Sequence, residues 1–316
     1  MEYVIRRILY AIPIALGVTV ICFALVHLGP VDPILAVTPD DASPEEVERI
    51  RVEYGFDKPV PVQYLKWLGR ALVGDFGVSL QSGRPVIDDL APALSNTMKL
   101  ALVATVFAFS VAFLLGVLAA YHHGRWTDRL FTGVAVVGVS IPNYWLSIVL
   151  IIIFAVELNV LPAMGIGPGG SRAWSWDAVH MRYLVLPAIA VSAIPVGIIT
   201  RTTRACVLEM LSQEFVQALH AKGISSKRIL AHVIRNAAPT VLAATGIQFG
   251  QLLGGSILVE SVFAWPGSGY LLNESIFRRD FPVLQGTIAV LALFFVFINL
   301  TVDIVQTWLD PRIRRG

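Results

Sequence analysis

Few side chains in this sequence are placed to do chemistry. No GxxxxGK[ST] phosphate loop, HExxH or GxSxG occurs, and no close carboxylate pair marks a catalytic centre. His122 and His123 are adjacent, so they do not share a helix face, and a solvated loop explains them better than a metal does. Cys22 and Cys206 lie far apart with no CxxC, so neither a zinc site nor a redox pair is expected. What remains is a set of mostly uncharged polar groups at helical spacing inside apolar runs. Ser140, Asn143 and Ser147 stand at i, i+3, i+7 beside Pro142, and Asn299, Asp303 and Gln306 repeat that spacing. Gln248 and Gln251 fall opposite Gly246, Gly250 and Gly254, with Gly255 beside them. Each stripe alone reads best as glue between helices; three in one chain favour a polar pathway. Ionisable groups in membranes usually mark ion routes. Here the span interiors are nearly free of them, and Asp303 lies at the end of the sixth. That scarcity argues against a self-contained channel or ion-driven carrier, and implies that energy for transport comes from outside the chain.

The runs that carry these stripes define the class. Of 316 residues, 56% are hydrophobic and 15% charged, against about a quarter charged in soluble domains. Several uncharged stretches reach the roughly 20 residues that cross a bilayer as helix, and they do not alternate as barrel strands do. The expectation is an all-α polytopic membrane protein with six spans, at 8–28, 100–121, 130–156, 183–201, 237–259 and 283–302. The fourth is short and carries Pro187 and Pro195. The basic, then apolar, start is too long for a cleaved signal and reads as the first span. Arg6, Arg7, Arg125, Arg129, Arg204, Lys222, Lys227, Arg228, Arg235 and the tail arginines fall on one side, assigned to the cytoplasm with both termini. A net charge of +2 gives no ground for a nucleic-acid partner.

The long loop after the first span reads as helical. SPEEVERIRVEYG offers Ser43 as N-cap, Glu46 as its capping-box partner and Gly55 as stop. PVQYLKWLGRAL sets Tyr64, Leu65, Leu68 and Leu72 on one face, with Trp67 at headgroup level, so these helices lie on the outer membrane face or cap the spans. Between spans four and five, QALHAKGISSKRILAHVIRNAAP is polar, basic and broken by Gly223. Leu211, Phe215, Ala218 and Leu219 make one apolar face. Ser225 can N-cap a second short helix, with Ile224 and Ile229 as staple. Physics alone allows an interfacial pair on anionic lipid or a knob for a cytoplasmic partner.

EFVQALHAKGISSKRILAHVIRNAAP resembles the EAA-type cytoplasmic loop of ABC importer permeases of the dipeptide/oligopeptide/nickel branch. YVIRRILYAIP…GVTVICFALVHLGPVDP, YGFDKPVPVQYLKWLGRALVGDFGVSL, VSIPNYWLSIVL, VESVFAWPGSGYLLNESIFRRDFPVLQG and NLTVDIVQTWLDPRIRR resemble, in order, its remaining landmarks. Nearly the whole chain is similar to the first, long-outer-loop permease of that branch. The chain departs from it at Gln217, Ala218 and Leu219, where the acidic-Ala-Ala triplet stands, and Pro239 lies a turn late.

The resemblance implies a type I ABC importer permease fold. Residues 1–29 would be the first transmembrane helix and 30–97 the outer helical loop. Residues 98–309 would be a five-helix core with a coupling helix at 212–237, and 310–316 a cytoplasmic tail. It implies a non-catalytic subunit of the bacterial inner membrane, forming half of a pathway for peptides, with nickel or a nickel chelate as the alternative. Its partners would be a second homologous permease, two ABC ATPases that bind ATP and Mg²⁺, an extracytoplasmic substrate-binding protein and the lipid bilayer. The chain itself needs no cofactor or metal. Phe215, Gln217, Ala218, Leu219, Ala221, Lys222, Gly223, Ile224 and Arg228 would dock an ATPase. Ser140, Asn143, Ser147, Gln248, Gln251, Gly255, Asn299 and Asp303 would line the pathway. Glu260, Trp265, Pro266 and Gly267 would form the outer gate or meet the binding protein, with Arg278, Arg279 and Asp280 contributing.

Overall fold

The computed structural model describes residues 2–27, 34, 38, 42–54 and 56–309. The exit of the first span, the Gly55 stop and the tail arginines lie outside these, as do the side chains of Asp303 and Gln306. Helices stand at all six expected positions, and the described residues hold no strand beyond one isolated Val78–Pro85 bridge. The helices are α1 (Glu2–His27), α2 (Pro44–Tyr54), α3 (Val60–Leu72), α4 (Val86–Tyr121), α5 (Trp126–Ser140), α6 (Asn143–Leu150), α7 (Ala178–Leu211), α8 (Glu214–Ala221), α9 (Ser226–Gly255), α10 (Ile257–Val262), α11 (Ser268–Phe277) and α12 (Phe281–Leu309). Val86–Tyr121, Ala178–Leu211 and Phe281–Val302 are each long and apolar enough to cross a membrane. The shorter Leu9–Ala24 stretch gives α1 its apolar body.

Helix α7 is the axis of the core, packed by α4, α5, α6 and α9. The sequence makes the span containing Pro187 and Pro195 look short. It is an unbroken 34-residue helix with both prolines inside. Both are buried, and the packing of neighbouring helices compensates for the missing backbone bonds. Its first turn is capped by Asp177, whose Oδ1 accepts from the Val179 and His180 backbone N–H groups at 2.9 Å each. Helix α4, which packs on α7, carries buried Ala104, Ala108, Ala112, Gly116 and Ala119, a small-residue row at helical spacing. A methyl at Gly116 would lie 2.5 Å from Thr203 Cβ and 2.8 Å from the Thr200 carbonyl. The row lets two backbones approach and gain dispersion contacts where lipid supplies no hydrophobic drive.

Three expectations need correction. The second span does not begin near residue 100: α4 starts at Val86 and projects about 20 Å beyond that point at 1.5 Å per residue. The third is not one straight helix. It breaks at Ile141–Pro142, where α5 and the following Asn143–Glu157 segment bend by 104°, and continues into a π-helical turn at Ile151–Glu157. Pro142 cannot donate a backbone hydrogen bond, so the helix restarts after it. The helix after Gly223 is not short either: α9 runs 30 residues from Ser226 through Pro239 into the fifth span.

Candidate functional site

The elbow between α7 and α9 is built from α8, Gly223 and the start of α9. Phe215, Val216 and Leu219 pack with Leu211, Val207, Ile229, Val233 and Ala120 in one apolar cluster. Val216 is the buried member of α8, whereas Ala218, expected on that face, is exposed. The chain turns at Lys222–Gly223, with the Gly223 N–H donating to the His220 carbonyl at 2.9 Å and Gly223 at φ +74°. Ile224 then folds back onto the same cluster. Ser225 occupies the N-cap position of α9 but its hydroxyl makes no capping bond; its carbonyl accepts from Arg228 and Ile229 instead. The expected docking set therefore divides. Phe215, Leu219 and Ile224 seat the elbow on the bundle, while Gln217, Ala218, Ala221, Lys222, Gly223 and Arg228 face outward.

A clamp next to the elbow's own helix fixes the neighbouring loop. Arg204 on α7 holds Asp128 at the start of α5 in a bidentate pair, Nε to Oδ1 at 2.7 Å and Nη2 to Oδ2 at 2.9 Å. The Gly124 N–H adds 3.1 Å to Oδ2, and His123 Nδ1 lies 3.3 Å from the same oxygen. His122 bonds the Leu118 carbonyl of its own helix at 3.0 Å. No cluster of three or more metal-ligating residues occurs among the described residues.

Among the described residues the polar stripes are split between buried and exposed positions. Ser140 is exposed and donates to the Val136 carbonyl at 2.9 Å. Ser147 is fully buried and donates to the Asn143 carbonyl at 2.8 Å. The break at Pro142 separates Ser140 from the other two, so the i, i+3, i+7 face does not exist as one surface. Asn143 Oδ1 is buried without a partner in the chain. Gln248 is buried, while Gln251 and Gly255 are exposed. Gly246 and Gly250 pack on α12, with Val302 and Asn299 filling the space a side chain would need. Asn299 bonds the Phe295 carbonyl at 2.8 Å and lines an apolar cavity of ≈ 630 Å³ between α1, α9 and α12.

The α10–α11 end is a buried polar knot. Glu260 is fully buried; Oε1 accepts from Thr97 and Ser256 hydroxyls at 2.9 Å each, and Oε2 from the Gly269 and Tyr270 N–H groups at 2.7 and 3.1 Å. The carboxylate thus joins α4, α10 and the first turn of α11. Trp265 is also fully buried, its indole N–H on the Asn96 carbonyl at 3.1 Å. Asn96 Nδ2 donates to the Pro266 carbonyl at 2.9 Å and to Ser171 Oγ at 2.7 Å. Glu260, Trp265 and Gly267 are therefore interior, and among the four expected contact residues only Pro266 keeps partial exposure. Asp280 is likewise buried and accepts from Ser79 Oγ at 2.5 Å, tying the hairpin closed by the Val78–Pro85 bridge to the α11–α12 corner. Sequence reasoning missed Asn96, Thr97 and Ser268; two adjacent polar residues just before an apolar run were the available signal.

A bundle of long apolar helices, with a glycine-hinged elbow between α7 and α9 and a buried polar knot at α10–α11, defines the class: a polytopic membrane protein. The chain belongs to the family described as binding-protein-dependent transport system inner membrane component, matched over residues 112–315, with that family's N-terminal region matched over 1–101. It is 40% identical to a putative peptide transport system permease of Brucella abortus over 98% of both chains. It is 35% identical to a dipeptide transport system permease of Alkalihalophilus pseudofirmus over 99% of both, and 38% identical to a glutathione transport system permease of Escherichia coli K12 over 99% of both. Its fold matches a subunit of the MetNI methionine ABC transporter in an inward-facing state, at TM-score 0.57 and 17% identity over 70% of this chain and 96% of that one. The protein is a multi-pass inner-membrane ABC importer permease.

Proposed function

We propose that the chain is one of two permease subunits of an ATP-driven importer of short peptides. The observation that carries this is relatedness along the full length, at 35–40% identity, to proteins named for peptide, dipeptide and glutathione transport. The second permease is a homologue, and the pathway forms between the two. Two ATPases bind ATP and Mg²⁺ and dock on the outward face of the elbow, Gln217, Ala218, Ala221, Lys222 and Arg228. This chain is non-catalytic, and both its termini are cytoplasmic. An extracytoplasmic binding protein delivers the peptide to the outer face. Closure of the ATPases moves α8, and α8 moves α7 and α9 because they share one apolar cluster. Such coupling requires the elbow to dock differently in the two states.

The test is uptake into proteoliposomes holding both permeases and both ATPases, with binding protein outside and ATP inside. Labelled dipeptide accumulates with ATP and not with a non-hydrolysable analogue. Uptake of labelled nickel without dipeptide would transfer the chain to nickel transport. Accumulation without ATP would make it a secondary carrier.

A further inference from the structure

Helix α3 divides into three sectors when its residues are placed 100° apart. One sector, Gln63, Tyr64, Trp67, Leu68 and Ala71, is turned toward the protein. There Tyr64 Oη lies 2.8 Å from Thr19 Oγ1 of α1, and the Tyr64 and Trp67 rings sit 5.5 and 5.9 Å from Phe23. A second sector carries Lys66 and Arg70, the latter paired with Asp75 at 2.7 Å. The third is apolar and uncovered: Val62, Leu65 and Leu72 are 41%, 64% and 79% exposed, and Val73, which ends the helix, is 81% exposed.

The depth of the contact identifies the cover. Thr19 and Phe23 belong to the apolar stretch Leu9–Ala24 of the first span, about 12 and 6 Å from the His27 end of α1 at 1.5 Å per residue. A helix resting on those residues lies at membrane depth, and α1 itself leaves Leu16, Val20 and Ile21 exposed there. Lys66 and Arg70 then stand at the headgroup level. We propose that α3 is an interfacial helix whose Val62–Leu65–Leu72–Val73 edge is sunk in the outer lipid leaflet. It anchors the outer loop, and through Asp75 and the hairpin that Asp280 holds, ties the membrane surface to the α11–α12 corner. This rests on α1 being a span and not on the identity of the substrate.

The experiment uses the complete transporter in liposomes, with Cys22 and Cys206 replaced by Ser and a spin label at Leu65→Cys, Leu72→Cys or Lys66→Cys. Collision with oxygen reports lipid, and collision with a water-soluble nickel chelate reports water. The expected result is a severalfold higher oxygen-to-nickel ratio at 65 and 72 than at 66. Ratios equal to that at 66 would place the edge in water. Protection from both reagents at 65 and 72 would mean that protein, such as the second permease, covers it. Either outcome overturns the proposal, and peptide uptake by the same samples reports separately on the transport reading.

Discussion

At Glu260 a single carboxylate serves four donors, two hydroxyls and two backbone N–H groups, with no water access. A leucine of similar volume offers no acceptor to the two backbone N–H groups. Glu260→Leu is expected to leave the buried Gly269 and Tyr270 N–H groups unpaired and to cost about 1–3 kcal/mol or more, read as a lower melting temperature of the purified complex. Unchanged melting would remove the knot from this account. The Asp128–Arg204 clamp gives a second case. Removing one partner of a buried pair costs about 3–5 kcal/mol because it strands the other charge. Arg204 is partly exposed, so Arg204→Met is expected near the lower end. The double variant Arg204→Met/Asp128→Asn should recover part of that loss, which a thermal melt of all three proteins checks. Neither polar unit was legible beforehand. Glu260 stood out only through the family resemblance, and Asp128 and Arg204 lie 76 positions apart with no local pattern joining them.

Helix existence was legible almost everywhere, because the length of an apolar run is a direct requirement of a bilayer. Continuity was not. Pro187, Pro195 and Pro239 sit inside unbroken helices, whereas Pro142 ends one, and the same residue type gives both outcomes because the neighbouring helices decide whether the lost bond is compensated. The small-residue rows behave as their spacing predicts only where a partner helix is present: Gly246 and Gly250 meet α12, while Gly254 has open space. The α4–α7 contact gives a prediction for elements as units. Gly116→Leu must push α7 away from α4 at the Thr200–Thr203 turn, since backbone and Cβ atoms cannot yield as a flexible side chain would. Overpacking of this kind costs about 1–3 kcal/mol. Gly254→Leu, with nothing within 4 Å, should be close to neutral in the same melt.

For the molecule as a whole, the proposed function rests on the division of the elbow into a seated face and an outward face. The seated face makes α8 part of the bundle, so force applied to it reaches α7 and α9. In the proposed function the outward face, small and lightly charged, is where an ATPase grips. The direct measurement is co-purification of the ATPase subunits with the permease pair in detergent, comparing wild type with Ala218→Asp/Ala221→Asp and with Gln251→Ala as a distant control. Both alanines are exposed, so the double variant should insert and melt like wild type. The account predicts that it loses the ATPases at least tenfold, about 1.4 kcal/mol or more of binding, while the control retains them. Full retention of the ATPases by a double variant that carries both aspartates on that face would contradict it.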